Sequence, residues 1–324
     1  MRLAITGATG FVGNAIRHAA MARGWTVHPY GSRTWDITKG PLADPPEVDA
    51  VVHAAAAVTD WGDGKAIWRT NVDGTRHVLD SFPGRRFVHI STASVYDPCT
   101  PAEYATEDQA PVTRYLTAYA ASKAASELLL PGRPDTVILR PHAVYGPGDP
   151  TLLPRVLKAI RGRSLVIVGD GQARQSLTSL DNLVQATLLA CTGPPGTYNV
   201  ADETPVILEE ALCALLDERG LDVRIRHLPL KQAWALAGAA ESLWHIAGAH
   251  RPPRLTRYAI SHLAYERTLD TTAAQRALGY QPAATSFKGA ATWLDDQVNR
   301  LVPTARRSGR RSPVTGRQRR WATR

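Results

Sequence analysis

The run Tyr119-Ala-Ala-Ser-Lys123 sets a phenol and an ammonium four residues apart in a segment rich in helix formers. On a helix that spacing brings both side chains to one face. A phenol with its ordinary pKa near ~10 is idle at neutral pH, but a fixed cation beside it favours the phenolate and makes it a usable proton donor and acceptor. The same spacing also suits an exposed amphipathic pair, so the elements around it decide its use.

The first of those elements is N-terminal. Met1-Arg-Leu-Ala-Ile5 is a short apolar run leading into Thr6-Gly7-Ala8-Thr9-Gly10-Phe11-Val12-Gly13, and a helical pattern follows from Asn14 to Arg23. The order predicts strand, tight glycine turn and helix. Such a turn lets backbone N–H groups approach a pyrophosphate, and the positive end of the helix dipole favours the anion. The spacing is Gly-x-x-Gly-x-x-Gly, one residue wider than Gly-x-Gly-x-x-Gly. Its place between strand and helix points to dinucleotide binding.

With these two motifs joined, the chain resembles the extended short-chain dehydrogenase/reductases, the branch of NAD-dependent epimerases, dehydratases and hydroxysteroid dehydrogenases. Asp49 to Ala56 is similar to the family's fourth strand, and Asn71-Val-Asp-Gly-Thr75 to its Asn-x-x-Gly-Thr helix entry. His89-Ile-Ser-Thr92-Ala-Ser-Val-Tyr96 resembles the strand carrying the catalytic hydroxyl four residues before a Tyr, which selects Thr92 over Ser91 or Ser94. Leu139-Arg140-Pro141-His-Ala-Val-Tyr145-Gly-Pro-Gly148 resembles the segment passing under the nicotinamide, and Leu278-Gly-Tyr280-Gln-Pro282 a late family landmark.

The resemblance implies hydride transfer between a nicotinamide and a carbinol carbon, with Thr92, Tyr119 and Lys123 as the catalytic set. Tyr119 would exchange the proton, Lys123 would lower its pKa and hold the ribose, and Thr92 would orient the substrate oxygen. The cofactor site would be the turn residues Gly7, Thr9, Gly10, Phe11, Val12 and Gly13, with Ala54, Ala55, Ala56, Asn71 and Ser91 from the later motifs. Pro141 and Val144 would complete it beside Tyr119 and Lys123, and Asp36-Ile37 resembles an adenine-contacting pair. At the end of the second strand, Tyr30-Gly31-Ser32-Arg33 lacks the carboxylate that selects NAD, while Ser32 and Arg33 could hold a 2′-phosphate, so NADP is expected ahead of NAD.

Alternating strand-like and helical patterns over the first part of the chain predict an α/β fold, a Rossmann-type doubly wound parallel sheet with a smaller interleaved C-terminal substrate domain. Expected boundaries are 1–150 for the nucleotide domain, with a return near 176–202, 151–299 mainly for substrate, and 300–324 as a basic, disordered tail. That tail holds nine arginines and no acid, accounting for the whole net charge of +9 and leaving residues 1–299 balanced. No specific nucleic-acid partner is therefore expected. Three widely spaced cysteines indicate neither a disulfide framework nor a zinc site, so no metal is expected. The absence of a leader-like or membrane-spanning run predicts a cytoplasmic enzyme.

Substrate is less constrained. Thr92 is followed by Ala93-Ser94, not the Asp-Glu of sugar dehydratases, which disfavours dehydration. Val58 to Gly62, Leu255 to Tyr258 and an apolar helix from Gln232 to Gly248 resemble the 3β-hydroxysteroid dehydrogenase-like branch. The stripe Leu236, Ala240, Leu243, Trp244 and Ala247 is expected to cap a greasy substrate, pack, or touch a membrane peripherally. The leading expectation is oxidoreduction of a hydrophobic small molecule, sterol-like, polyketide-like or long-chain β-keto, by an enzyme compatible with a homodimer. The alternative is a sugar-nucleotide 4-epimerase or reductase, for which Arg174 would grip the diphosphate.

Overall fold

The computed structural model describes residues 1–247, 253 and 255–293, so the expected tail 300–324 lies outside the described residues. Six strands form one parallel sheet: β1 (Arg2–Thr6), β2 (Thr26–Tyr30), β3 (Ala50–His53), β4 (Arg86–Ile90), β5 (Thr136–Pro141) and β6 (Gly196–Val200), in spatial order β6-β5-β4-β3-β1-β2. Successive side chains along these strands enter opposite cores, as the two-residue period requires. Leu3, Ile5, Val52 and Val88 pack with Ile16 and Leu183 on one face, and Ala4, Val51 and Phe87 pack with Val78 and Phe82 on the other. Burial on both faces is why these strands read as near-continuous apolar runs.

The helices of this part of the chain are α1 (Phe11–Ala22), α2 (Gly64–Trp68), α3 (Gly74–Ser81), α4 (Ala118–Glu127) and α6 (Leu180–Ala190), with α5 (Leu152–Ala159) set apart from the sheet. One expectation changes. Asp49 to Ala56 supplies the third strand, not a fourth, because only a short 3₁₀ turn, Ile37–Lys39, lies between β2 and β3. Pro41, Pro45 and Pro46 in that connection have no N–H for a ladder, and β2 is left as the sheet edge.

A second core joins α5, the strand Ser164–Val168 and α7 (Leu208–Glu218) through Leu153, Leu157, Ile167, Leu212 and Leu215. Beside it lie α8 (Leu230–Ile246) and α9 (Arg257–Ala264), meeting through Val168, Ala233, Ala237 and Ile260. The inward face of α8 is therefore its small residues. Leu236, Leu243 and Trp244 of the expected stripe are exposed, and Gly248 lies outside the described residues. Among the described residues no helix is long and apolar enough to cross a membrane.

Candidate active site

The glycine turn closes tightly on itself. Gly10 N–H donates to the Gly7 carbonyl at 2.9 Å, and the Gly10 carbonyl accepts from Asn14 N–H at 2.9 Å. Gly7 has φ +69°, and a Cβ there would lie 2.7 Å from the Ala55 nitrogen at the end of β3. A Cβ on Gly13 would lie 2.2 Å from the Gly7 carbonyl oxygen. Only glycine permits this approach. Helix α1 begins just beyond, with no side chain capping it and no acid in its first turn, so its leading N–H groups are available to an anion. Phe11 and Val12 are half-buried in that first turn, and Thr9 packs against Gly31. The cradle fits a dinucleotide pyrophosphate.

At the end of β2, Ser32 and Arg33 are exposed. Asp36 is engaged locally: its Oδ1 accepts from Thr38 N–H at 3.0 Å and Thr38 Oγ1 at 2.8 Å, which holds its carboxyl below the usual carboxylate range. Ile37 is buried against Gly74. The Ala54 to Ala56 segment runs past Gly7, and the next residue, Ala57, is fixed by Asn71, whose Oδ1 accepts Ala57 N–H at 2.7 Å while its Nδ2 donates to Ser122 Oγ at 2.9 Å. Asn71 is 1% exposed, so in this structure it fastens the loop after β3 to α4.

Helix α4 opens at Thr117, whose Oγ1 accepts from Ala120 N–H at 3.2 Å, and small residues let it lie close against its neighbours. Lys123 is 2% exposed. Its Nζ donates to the Ile90 carbonyl at 2.8 Å and lies 3.2 Å from His89 Nε2. Burial pushes its pKa down to about 8, opposed by Glu127. His89 stacks on His53 at 5.4 Å, and His53 is held between the Thr6 and Thr75 hydroxyls at 2.6 and 2.9 Å. Tyr119, on the same face of α4, has its phenol pKa raised, chiefly by burial and further by Tyr258, while a hydrogen bond with Thr92 acts the other way. Desolvation governs the phenol here, and one donor of the Lys123 ammonium is engaged by the Ile90 carbonyl.

Thr92 faces Tyr119 because its neighbour is tied down on the other side. Ser91 Oγ donates to Glu127 Oε1 at 2.5 Å, and Glu127 is paired at 2.7 Å with Arg140, both buried. Ser91 thus belongs to the support behind the site. Thr92 Oγ1 accepts from Ser94 N–H at 3.1 Å and donates to Ser94 Oγ at 3.2 Å. Pro141 ends β5, and a turn through Ala143 at φ +47° leads to Val144–Tyr145, which pairs with Thr178–Ser179. Arg174 is engaged elsewhere, in an ion pair with Glu266 at 2.6 Å.

Three site residues escaped sequence reasoning: Tyr258 and His262 of α9, and His142. Tyr258 OH lies 3.0 Å from Ser94 Oγ, the Tyr258 and His262 rings are 4.3 Å apart, and His262 Nδ1 is 3.2 Å from His142 Nε2. The branch resemblance of Leu255 to Tyr258 marks the segment, but the partner of Tyr258 sits 164 residues earlier.

The glycine cradle, the parallel sheet and the Thr92–Tyr119–Lys123 cluster agree with a match between residues 3–201 and the model of the NAD dependent epimerase/dehydratase family. The chain belongs to that family. Members are built to bind a nicotinamide dinucleotide, and the protein is an NAD(P)-dependent enzyme of the dehydrogenase/reductase type. Over 322 residues it is 30% identical to 2-alkyl-3-oxoalkanoate reductase of Stenotrophomonas maltophilia, covering 89% of this chain and 97% of that protein. It is 23% identical to the human decarboxylating sterol-4-alpha-carboxylate 3-dehydrogenase, covering 94% and 88%. Its fold is similar to UDP-glucuronic acid 4-epimerase from Bacillus cereus in complex with NAD, with TM-score 0.67 and 21% identity over 93% of this chain and 97% of that one.

Proposed function

We propose that this family member is an oxidoreductase that prefers NADP(H) and interconverts a secondary alcohol and a ketone on a hydrophobic skeleton. The observation that carries this reading is the Thr92–Tyr119 hydroxyl pair with Ala93-Ser94, and no acid, beside it. Proton exchange with one oxygen is what such a pair can do. A nicotinamide dinucleotide held by its pyrophosphate in the glycine cradle would supply or accept the hydride. In reduction Tyr119 gives its proton to the oxygen as negative charge develops there, and Thr92 donates to the same oxygen and orients it. A phenol held protonated by burial suits the donor role at neutral pH. Lys123 replenishes that proton or holds the ribose from the buried base of the site.

Similarity to the oxoalkanoate reductase and to the sterol dehydrogenase supports a hydrophobic substrate. A sugar-nucleotide 4-epimerase or reductase is the second reading, favoured by the fold similarity to the UDP-glucuronic acid epimerase; Arg174, its expected diphosphate grip, is engaged with Glu266. NADP preference rests on the exposed Ser32 and Arg33, with Asp36 turned to Thr38.

The test is a panel of long-chain alcohols, 3-oxo esters, sterols and UDP-sugars, scored by absorbance of NADPH and of NADH, with Tyr119→Phe alongside. Net cofactor turnover with a hydrophobic substrate is expected, lower KM for NADPH, and a loss of at least ~10²-fold in kcat for the variant with nucleotide affinity retained. Activity confined to UDP-sugars, or full activity in Tyr119→Phe, refutes the reading.

A further inference from the structure

On the buried side of the site, Lys123 Nζ and His89 Nε2 face each other at 3.2 Å, and both residues are sealed from solvent. Which of the two gives a hydrogen decides what that contact does. Burial holds the His89 ring neutral, so it carries one N–H and one lone pair. Ser126 settles where the hydrogen sits. Its hydroxyl donates its single hydrogen to the Lys123 carbonyl at 2.7 Å, and toward His89 Nε2, 3.0 Å away, its oxygen can then only accept. The other ring nitrogen agrees. Nδ1 is buried without a partner among the described residues, so a hydrogen placed there would be stranded, whereas Nε2–H meets Ser126. His89 is therefore an N–H donor on the side that Lys123 occupies.

A lysine ammonium is all donor and has no lone pair to offer. Against it the His89 N–H sets a positive end toward a positive charge, and the 3.2 Å contact is repulsive. Once the lysine has given a proton away, its amine lone pair can accept that same N–H, and the contact becomes a hydrogen bond. The Ile90 carbonyl, at 2.8 Å, accepts from Nζ in either state. His89 thus favours the uncharged lysine. The other ionisable groups around Lys123 do not: Glu127, one turn along α4, favours the ammonium, the Tyr119 phenol is held protonated, and His53, stacked on His89 at 5.4 Å, is neutral with its nitrogens bonded to Thr6 and Thr75.

We propose that His89 is a positioning residue for Lys123: fixed by Ser126 as an N–H donor, it opposes the ammonium, bonds the free amine, and so readies Lys123 to pass its proton toward Tyr119. This rests on the reading of the site as an alcohol–ketone oxidoreductase in which Lys123 renews the Tyr119 proton. In reduction the phenol gives its proton to the developing alkoxide, one proton leaves Nζ toward the phenolate, and the His89 N–H closes on the amine left behind. The ring itself neither gains nor loses a proton. A proton held near pH 8 is lent at neutral pH more readily than one held at the ordinary 10.5.

NMR of the full chain reads the two nitrogens directly and needs no substrate. With six lysines and ten histidines, a protein labelled with carbon-13 at lysine Cε and nitrogen-15 in histidine gives few enough signals to assign Lys123 and His89 by their loss in Lys123→Met and His89→Gln. The nitrogen spectrum is expected to show His89 in its Nε2–H form. The Lys123 titration is expected at about 8 in the wild type. It should lie about one pH unit higher in His89→Gln, whose amide oxygen can accept from the ammonium, and in Ser126→Ala, which frees the ring to turn its lone pair to Nζ. An Nδ1–H ring in the wild type, or a midpoint that stays or falls in either variant, overturns the proposal. Should His89→Gln not fold, Ser126→Ala decides, since it removes one hydroxyl only. In NADPH-dependent reduction of the substrate panel, the basic limb of kcat should climb with the lysine midpoint, and a limb that ignores it overturns delivery of the proton. Activity confined to UDP-sugars refutes the oxidoreductase reading instead and leaves the spectra unchanged.

Discussion

Replacing Lys123 by Met should make the folded protein more stable while disabling it. The lysine is 2% exposed, and burial lowers its pKa from 10.5 to about 8. The unfolded chain therefore holds this proton more tightly than the native one, and folding at pH 7 works against it. At ~1.36 kcal/mol for each tenfold change in proton affinity, the cost at pH 7 is about 3 kcal/mol. Methionine has similar length and no charge to desolvate, but it forfeits the 2.8 Å bond from the ammonium to the Ile90 carbonyl, a charge-assisted bond worth about 2 kcal/mol. A net gain of about 1 kcal/mol follows. The sign also fixes a pH window. A depressed lysine pKa takes its full toll below about 8, and that toll disappears as pH rises toward 10.5, so the advantage of the variant should shrink between pH 8 and 10. Urea unfolding of wild type and Lys123→Met at pH 7, 8, 9 and 10 measures the difference directly, with other titrating groups common to both. A variant less stable than wild type at pH 7, or an advantage that does not change with pH, would refute the argument. Turnover of the variant should fall at least ~10²-fold if the lysine serves proton exchange.

Gly13→Ala should abolish nucleotide binding, because the added methyl would stand 2.2 Å from the Gly7 carbonyl and open the turn; fluorescence titration with NADPH reads this, and an unchanged Kd would contradict it. Arg33→Ala should raise KM for NADPH several-fold and leave KM for NADH nearly constant, and a parallel change in both would show that the guanidinium does not read the 2′-phosphate. Burial lowers the pKa of His53 to about 3 and of His142 to about 4, and holds His89 and His262 well below 6.5. Their contribution is whole above pH 6.5 and is lost as pH falls from there, at up to ~1.4 kcal/mol per pH unit for each histidine, so the unfolding midpoint should drop steeply between pH 6.5 and 5. A flat midpoint across that range would count against neutral burial.

The parts of this molecule legible in its sequence are those whose cause is local. Strand, glycine turn and helix are contiguous from Arg2 to Ala22, and the four-residue interval of Tyr119 and Lys123 is a property of one helix. The turn of Asp36 onto Thr38 and the proline-blocked connection before β3 were also written locally, but a family pattern of strand counting obscured the latter. What could not be read depends on packing between distant segments. The partner of the Lys123 ammonium is a carbonyl at Ile90, and that of Ser94 is a phenol from α9; neither carries a periodic or compositional mark. The direction of the Tyr119 shift was missed for the same reason, since burial is settled by the whole fold.

The edge position of β2 separates two properties that most active sites couple. Ser32 and Arg33 project from the margin of the sheet, on a loop whose side chains are exposed there, while the inner core closes around β1 and β3 without them. Substitutions at these two positions remove no buried contact and open no cavity. Preference between the two nicotinamide nucleotides can thus drift, by mutation or by design, without drawing on the stability that holds Tyr119 and Thr92 in register. Under the proposed role of Ser32 and Arg33, coenzyme choice is a peripheral trait, open to revision, and the proton-handling interior is not.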